Sequence, residues 1–212
     1  RTRNLVRQYL ASDRRDERAG VLIKLKQEEG ATAKYIAQLI AHMRPPVETQ
    51  QPEEVKIPGM FTLTVPGPAG MADFNYHVQL PPEYDPYKRY PAILTLNGSA
   101  TTPQQQIDWW AGAYSQKHQM RMGQAARRGY IVISPEWTTK HQRKYEYSAR
   151  EHAAVLYSLR DACKRFSIDT DRVYLSGHSM GRDAVWDIGL AHPDLWAGVL
   201  PIVANSDKYV AR

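Results

Sequence analysis

Ser179 is the residue whose surroundings point most directly to chemistry. It is the centre of Gly177-His178-Ser179-Met180-Gly181, a G-x-S-x-G pentapeptide. The stretch Arg172-Val173-Tyr174-Leu175-Ser176 runs into it as a short apolar strand, and Ala184 to Ala191 follows with a helical pattern. Strand, sharp turn and helix in that order make a nucleophile elbow, which holds the serine hydroxyl clear of the sheet. Gly177 and Gly181 lack the Cβ atoms that would crowd such a turn. The backbone N–H of Met180 is then aimed at the oxyanion that develops on an attacked acyl carbon. The implied chemistry is acyl transfer through a covalent intermediate on Ser179.

Serine is a weak nucleophile at its ordinary pKa and needs a neighbouring base, usually a histidine oriented by a carboxylate, with a second oxyanion donor. These partners are read through a resemblance. The run VYLSGHSMG, followed by DAVWDIGLAHPDLWAGVLPIVA, resembles the α/β-hydrolase superfamily. Within it the chain is most similar to esterases of the polyhydroxybutyrate-depolymerase, feruloyl-esterase and prolyl-oligopeptidase-like kind, from about Tyr76 to the C-terminus. The resemblance places the second donor in the loop after an early central strand. Leu94 to Thr102, L-T-L-N-G-S-A-T-T, stands where those esterases carry an L-H-G loop. The Ser99 N–H is therefore the expected second donor, with Gly98 allowing close approach. Two departures are visible: Asn97 stands where they have histidine, and Arg182 where they have a second glycine.

The resemblance also implies the order serine, acid, histidine. Only 33 residues follow Ser179, and their one histidine, His192, lies 13 residues further on. Along a helix that is roughly 20 Å, so His192 reads as a helix C-terminal residue. Asp207, just after the last expected strand, occupies the place where a minority of these hydrolases carry their acid. The acid and histidine are accordingly expected beyond residue 212 or on a separate piece of chain, and the chain alone is expected to be inactive.

Other residues could contact a substrate. Trp109 and Trp110 follow the oxyanion loop and could wall an acyl pocket; core packing is the equal alternative. Glu136 and Trp137 end a strand at its carboxyl edge, where sites form in open α/β sheets. Arg182 could reach the site mouth and bind an anionic group. No H-E-x-x-H, C-x-x-C or glycine-rich phosphate loop occurs, so no metal and no cofactor is expected.

Several function classes are disfavoured by composition. The net charge of +6 is concentrated in residues 1–44, which hold ten Lys/Arg against five Asp/Glu. The rest is nearly neutral, so the basic excess reads as solvated helix faces and no nucleic-acid partner is expected. No apolar run is long enough to cross a membrane, no charged stretch leads into an apolar one as a signal peptide would, and no membrane partner is expected. A single cysteine, Cys163, excludes an internal disulfide and reads as a small helix residue.

The elements that must position Ser179 can be read from periodicity. Residues 1–44 show helical spacing, with Gly20 and Gly30 as expected breaks, and 45–58 form a proline-rich linker. Strands are expected at Met60–Val65, Phe74–Leu80, Ala92–Leu96, Tyr130–Ser134, before Gly177, and at Ala197–Val203. Helices are expected within Gln104–Arg128, at Tyr147–Phe166 and after the elbow. The expected fold class is α/β: a doubly wound, mostly parallel sheet over 59–212, of the α/β-hydrolase type without its C-terminal strands, preceded by a helical extension over 1–44. The last strand is apolar and uncharged, an edge expected to be covered by a missing C-terminal segment or by self-association. The expected function is serine ester hydrolysis of a small ester. A prolyl-oligopeptidase-like peptidase acting on short peptides and a non-catalytic binding or structural domain are the alternatives.

Overall fold

A computed structural model describes residues 1–50 and 57–203 of the 212. Asp207 and the middle of the expected linker lie outside the described residues. Three helices open the chain: α1 (Thr2–Ala11), α2 (Arg15–Lys26) and α3 (Ala33–His42). Thr32 caps α3, its side chain accepting from the Tyr35 N–H. Gly20 does not break a helix, because α2 runs through it; the break falls at Ser12–Arg14. There the Ser12 hydroxyl accepts from the Arg14 N–H and donates to Glu17, a local alternative to helical pairing.

The chain then alternates strands and helices: β1 (Met60–Val65), β2 (Phe74–Gln79), β3 (Tyr90–Leu96), α4 (Pro103–Ala111), a small hairpin of β4 (Tyr114–Ser115) and β5 (Met120–Arg121), α5 (Gln124–Arg127), β6 (Ile131–Pro135), α6 (Ala149–Arg165), β7 (Ile168–His178), α7 (Met180–Ala191) and β8 (Gly198–Ile202). The helix expected somewhere in Gln104–Arg128 is thus α4, with the hairpin and α5 behind it. Gly112, at φ 86°, turns the chain out of α4.

Six strands form one sheet in the order β1-β2-β6-β3-β7-β8. β1–β2 and β2–β6 pair antiparallel, whereas β6–β3, β3–β7 and β7–β8 are parallel. The central strands are mainly apolar where both faces are covered: Leu94, Leu96, Ile131, Ile133 and Leu175 are fully buried. On one face Ile93 and Val132 pack with Ile107 and Ala111 of α4 and Ala125 and Ala126 of α5. At the other margin, among the described residues, β8 pairs only with β7, and its neighbouring side chains Val199 and Leu200 are 37% and 38% exposed.

The Cα positions group into two compact units. One is Arg1–Gln50 with Asp85–Arg89 and Cys163–Ser167. Its core is Val6, Val21, Leu25 and Met43, packed by Tyr9, Ile36 and Ile40. Within it Lys164 pairs with Asp13 and accepts from the Val47 N–H through its carbonyl. Burial pushes the Cys163 thiol up to about 12, against the opposing charge of Arg89, which keeps it protonated and unreactive at neutral pH. The other unit contains the sheet and Ser179.

Candidate active site

Ser179 lies between β7 and α7 with φ 54° and ψ −115°. A positive φ is costly for a residue with a side chain and persists only where the surroundings impose it. They impose it through the flanking glycines. A Cβ on Gly177 would lie 2.8 Å from Val185 Cγ2, and one on Gly181 would lie 2.9 Å from the Leu96 carbonyl carbon. Strand, turn, helix and neighbouring strand thus approach more closely than any side chain permits. The Ser179 N–H donates to the Ile202 carbonyl at 3.2 Å, and the Ser179 carbonyl accepts from the Arg182 N–H at 3.0 Å. Met180 opens α7, so its N–H is among the amides that a helix leaves without an internal partner.

The loop after β3 closes against the serine. A Cβ on Gly98 would stand 3.0 Å from Ser179 Cβ and 3.5 Å from its Oγ. The Gly98 N–H donates to Thr101 Oγ1 at 3.0 Å, so it is occupied within the loop. Ser99 follows on the exposed side, and its N–H has no partner among the described residues. Asn97 organises this loop. Buried, it donates through Nδ2 to the carbonyls of Gly98 (3.0 Å) and Thr101 (2.7 Å), while Oδ1 accepts from the Trp137 indole at 3.1 Å. Sequence reasoning marked Asn97 only as a departure; the Asn97-Gly98 pair in a loop after a central strand was the available signal.

The aromatic candidates separate. Trp109 is 52% exposed and its ring lies 4.9 Å from that of His178, the residue before the nucleophile. His178 Nδ1 is buried and has no hydrogen-bond partner among the described residues. Trp110 instead packs against the α4 core and donates to Thr95 Oγ1, whose hydroxyl in turn donates to Gln106. Trp137 is fully buried; its indole is committed to Asn97, so it supports the loop where substrate contact was expected. Both placements have one cause, because each indole N–H finds a buried acceptor and the ring follows it inward.

Glu136, at the carboxyl end of β6, is half-exposed and held from two sides: Oε1 lies 3.2 Å from His77 Nε2, and Oε2 accepts from Asn75 Nδ2 at 3.4 Å. His77 is buried, with Thr62 Oγ1 at 3.0 Å on Nδ1 and the Gln104 amide at 3.0 Å on Nε2. Burial lowers its pKa below the ordinary imidazole value, and the Glu136 carboxylate only partly offsets this. Arg182 donates to the Val203 carbonyl and, at 3.3 Å, to Asp183, so its guanidinium ties the exit of β8 to the start of α7.

No histidine among the described residues hydrogen-bonds Ser179. His152 of α6 lies 2.9 Å from Asp187 Oδ2, which also accepts from Tyr145 at 2.7 Å, and the His192 ring is 5.9 Å from that of His152. These groups bridge α6 and α7. Among the described residues no group of histidine, cysteine and carboxylate side chains is arranged to hold a metal ion.

No protein-family model and no curated protein sequence matches the chain. Solved structures do match it. A thermostable esterase is 22% identical over 72% of this chain and 43% of its own, with a TM-score of 0.54. The S-formylglutathione hydrolase of Staphylococcus aureus is 17% identical over 69% of this chain and 57% of its own, TM-score 0.53. A fluorophosphonate-binding serine hydrolase of the same organism, solved with substrate bound, gives 18%, 68%, 56% and 0.52 in the same order. The chain therefore spans about half the length of these structures. With its mostly parallel sheet, flanking helices and strained serine between β7 and α7, the chain has the α/β-hydrolase fold that these esterases and serine hydrolases share.

Proposed function

We propose that the chain carries the nucleophile and oxyanion hole of a serine ester hydrolase. The observation that supports this best is the positive φ of Ser179 with Gly98 packed against its side chain. Strain of that kind is maintained where a side chain must be presented, and a relaxed turn would serve any purely structural purpose. In the reading, Ser179 attacks a small ester, and the N–H groups of Met180 and Ser99 receive the oxyanion. The acid and the histidine come from residues beyond 212, a proposal supported by the partial coverage of the structural neighbours and by the lack of any described histidine on Ser179. Trp109 borders the acyl site. Glu136, half-exposed just beyond the carboxyl end of β6, contacts the leaving alcohol. The helical extension over 1–44 and the 45–58 linker precede the hydrolase body over 59–212, which lends Asp85–Arg89 and Cys163–Ser167 to the helical unit.

The test is acylation in place of turnover. Without a base, oxyanion stabilisation alone leaves only ~10³–10⁴-fold catalysis over water. Incubation with p-nitrophenyl acetate is expected to place an acetyl group slowly on the Ser179 peptide, read by mass spectrometry, and to leave Ser179→Ala unmodified there. Acetylation scattered over lysines with none on Ser179 would favour the non-catalytic alternative. That alternative is supported by Asn97 and Arg182, both held in structural hydrogen bonds.

A further inference from the structure

The groove of about 530 Å³ in the N-terminal unit belongs to no part of the hydrolase chemistry. Its volume falls within the ~300–1,000 Å³ of small-molecule sites, which combine an apolar lining with a few polar groups. α3 explains its lining. Ile36 and Ile40 point into the core of this unit, beside Val6, Val21 and Leu25. Tyr35 and Leu39, four residues apart, line the groove with Met43, and Thr2 and Arg3 of α1 line it as well. α3 is therefore apolar on two faces; Ile36 and Ile40 serve the core, whereas Tyr35 stays 57% exposed over the groove.

Charge selects the occupant. Arg3 makes no ion pair among the described residues, His42 adds a ring that can donate a hydrogen bond, and no groove-lining residue is acidic. The surrounding residues 1–44 carry ten basic against five acidic side chains. From Tyr35 to Met43 the groove follows eight residues of α3, roughly 12 Å at helical rise. We propose that this groove binds a small anionic amphiphile, a medium-length alkyl carboxylate, its chain over Tyr35, Leu39 and Met43 and its head group on Arg3. The site is independent of Ser179, and its failure would leave the hydrolase reading untouched.

Calorimetric titration of the full chain with sodium decanoate, below its micelle concentration, tests this. Decanoate is expected to bind, and octanoate about fifteenfold more weakly, since each of the two buried methylenes it lacks is worth roughly fourfold. Arg3→Ala should weaken decanoate by up to about fivefold, the upper range for one exposed charge pair, and leave 1-decanol unaffected. Tyr35→Glu, on an exposed side chain, should abolish binding while circular dichroism stays native, and Ser179→Ala should bind normally. Equal affinity for decanoate and decyltrimethylammonium would overturn the proposal. So would loss of binding in Ser179→Ala with retention in Tyr35→Glu, which would move the amphiphile to the serine. No binding of decanoate, or binding only of an acidic amphipathic helical peptide, would overturn it as well.

Discussion

At the scale of single residues, the glycines around Ser179 and the buried imidazole of His77 make the firmest demands. Gly177→Ala drives a methyl group into Val185 and the Gly181 backbone. Overpacking of this kind costs typically ~1–3 kcal/mol, with more expected where backbone is the obstacle. Urea unfolding should show a loss at or above the top of that range, and a loss under 1 kcal/mol would mean that the turn relaxes. His77 gives a pH signature. Its folded pKa lies below the ordinary value, so the unfolded chain binds the proton more readily. Stability is then fully present above about pH 6.5 and declines as pH falls from there toward the lowered folded value. Thermal melts between pH 5 and 8 should show this slope, and it should flatten in His77→Gln, which keeps a hydrogen-bonding side chain without the titration. An unchanged slope in the variant would assign the pH dependence to other groups.

At the scale of elements, the connection between β6 and α6 is built on one carboxylate. Glu151 is buried in the first turn of α6, where an acid also suits the helix dipole. It accepts from the N–H groups of Glu146 (3.1 Å) and Ser148 (2.8 Å), the Ser148 hydroxyl (2.8 Å) and the Gln142 amide (2.5 Å). Glu151→Ala would leave those donors unpaired in a dry site, at ~1–3 kcal/mol for each that water cannot reach. The expected result is faster amide exchange across 142–148 before any change elsewhere; uniform exchange across the chain would show that the loop is not held by Glu151. None of this was legible in the sequence, where Glu151 stands in no motif. Strand positions and the elbow were legible because apolar runs bounded by glycine and proline report local geometry. The roles of Asn97 and Trp137 were not, because each depends on a partner 40 residues away brought in by the sheet, and that of Glu151 was not, because it depends on how the irregular connection before α6 folds back on it. Gly20 misled for a related reason: α2 is held by Val21 and Leu25 in the core of its unit, which offsets the ~1 kcal/mol that a helical glycine costs.

At the scale of the molecule, β8 decides how the chain behaves in solution. Its partner on one side is β7, in register from Tyr174–Gly198 to His178–Ile202. On the other side, among the described residues, no strand follows, and the strand carries no charge to discourage pairing. Pro201 removes one donor and protects one ladder position only. Val199 meets α7, where Gly189 leaves room for it, yet both Val199 and its neighbour Leu200 stay more than a third exposed. Side chains of adjacent strand residues point to opposite faces, so the margin is open on both, unlike the buried strands β3, β6 and β7. An apolar edge with free N–H and C=O groups is a template for another strand. Sedimentation velocity at rising concentration is therefore expected to show self-association of the 212-residue chain. Leu200→Lys, which places a charge on the edge without touching Ser179 or its loop, should shift the distribution toward monomer and leave Ser179 acetylation unchanged. A chain that stays monomeric at every concentration, with Leu200→Lys leaving its sedimentation unchanged, would show that the β8 edge does not template association.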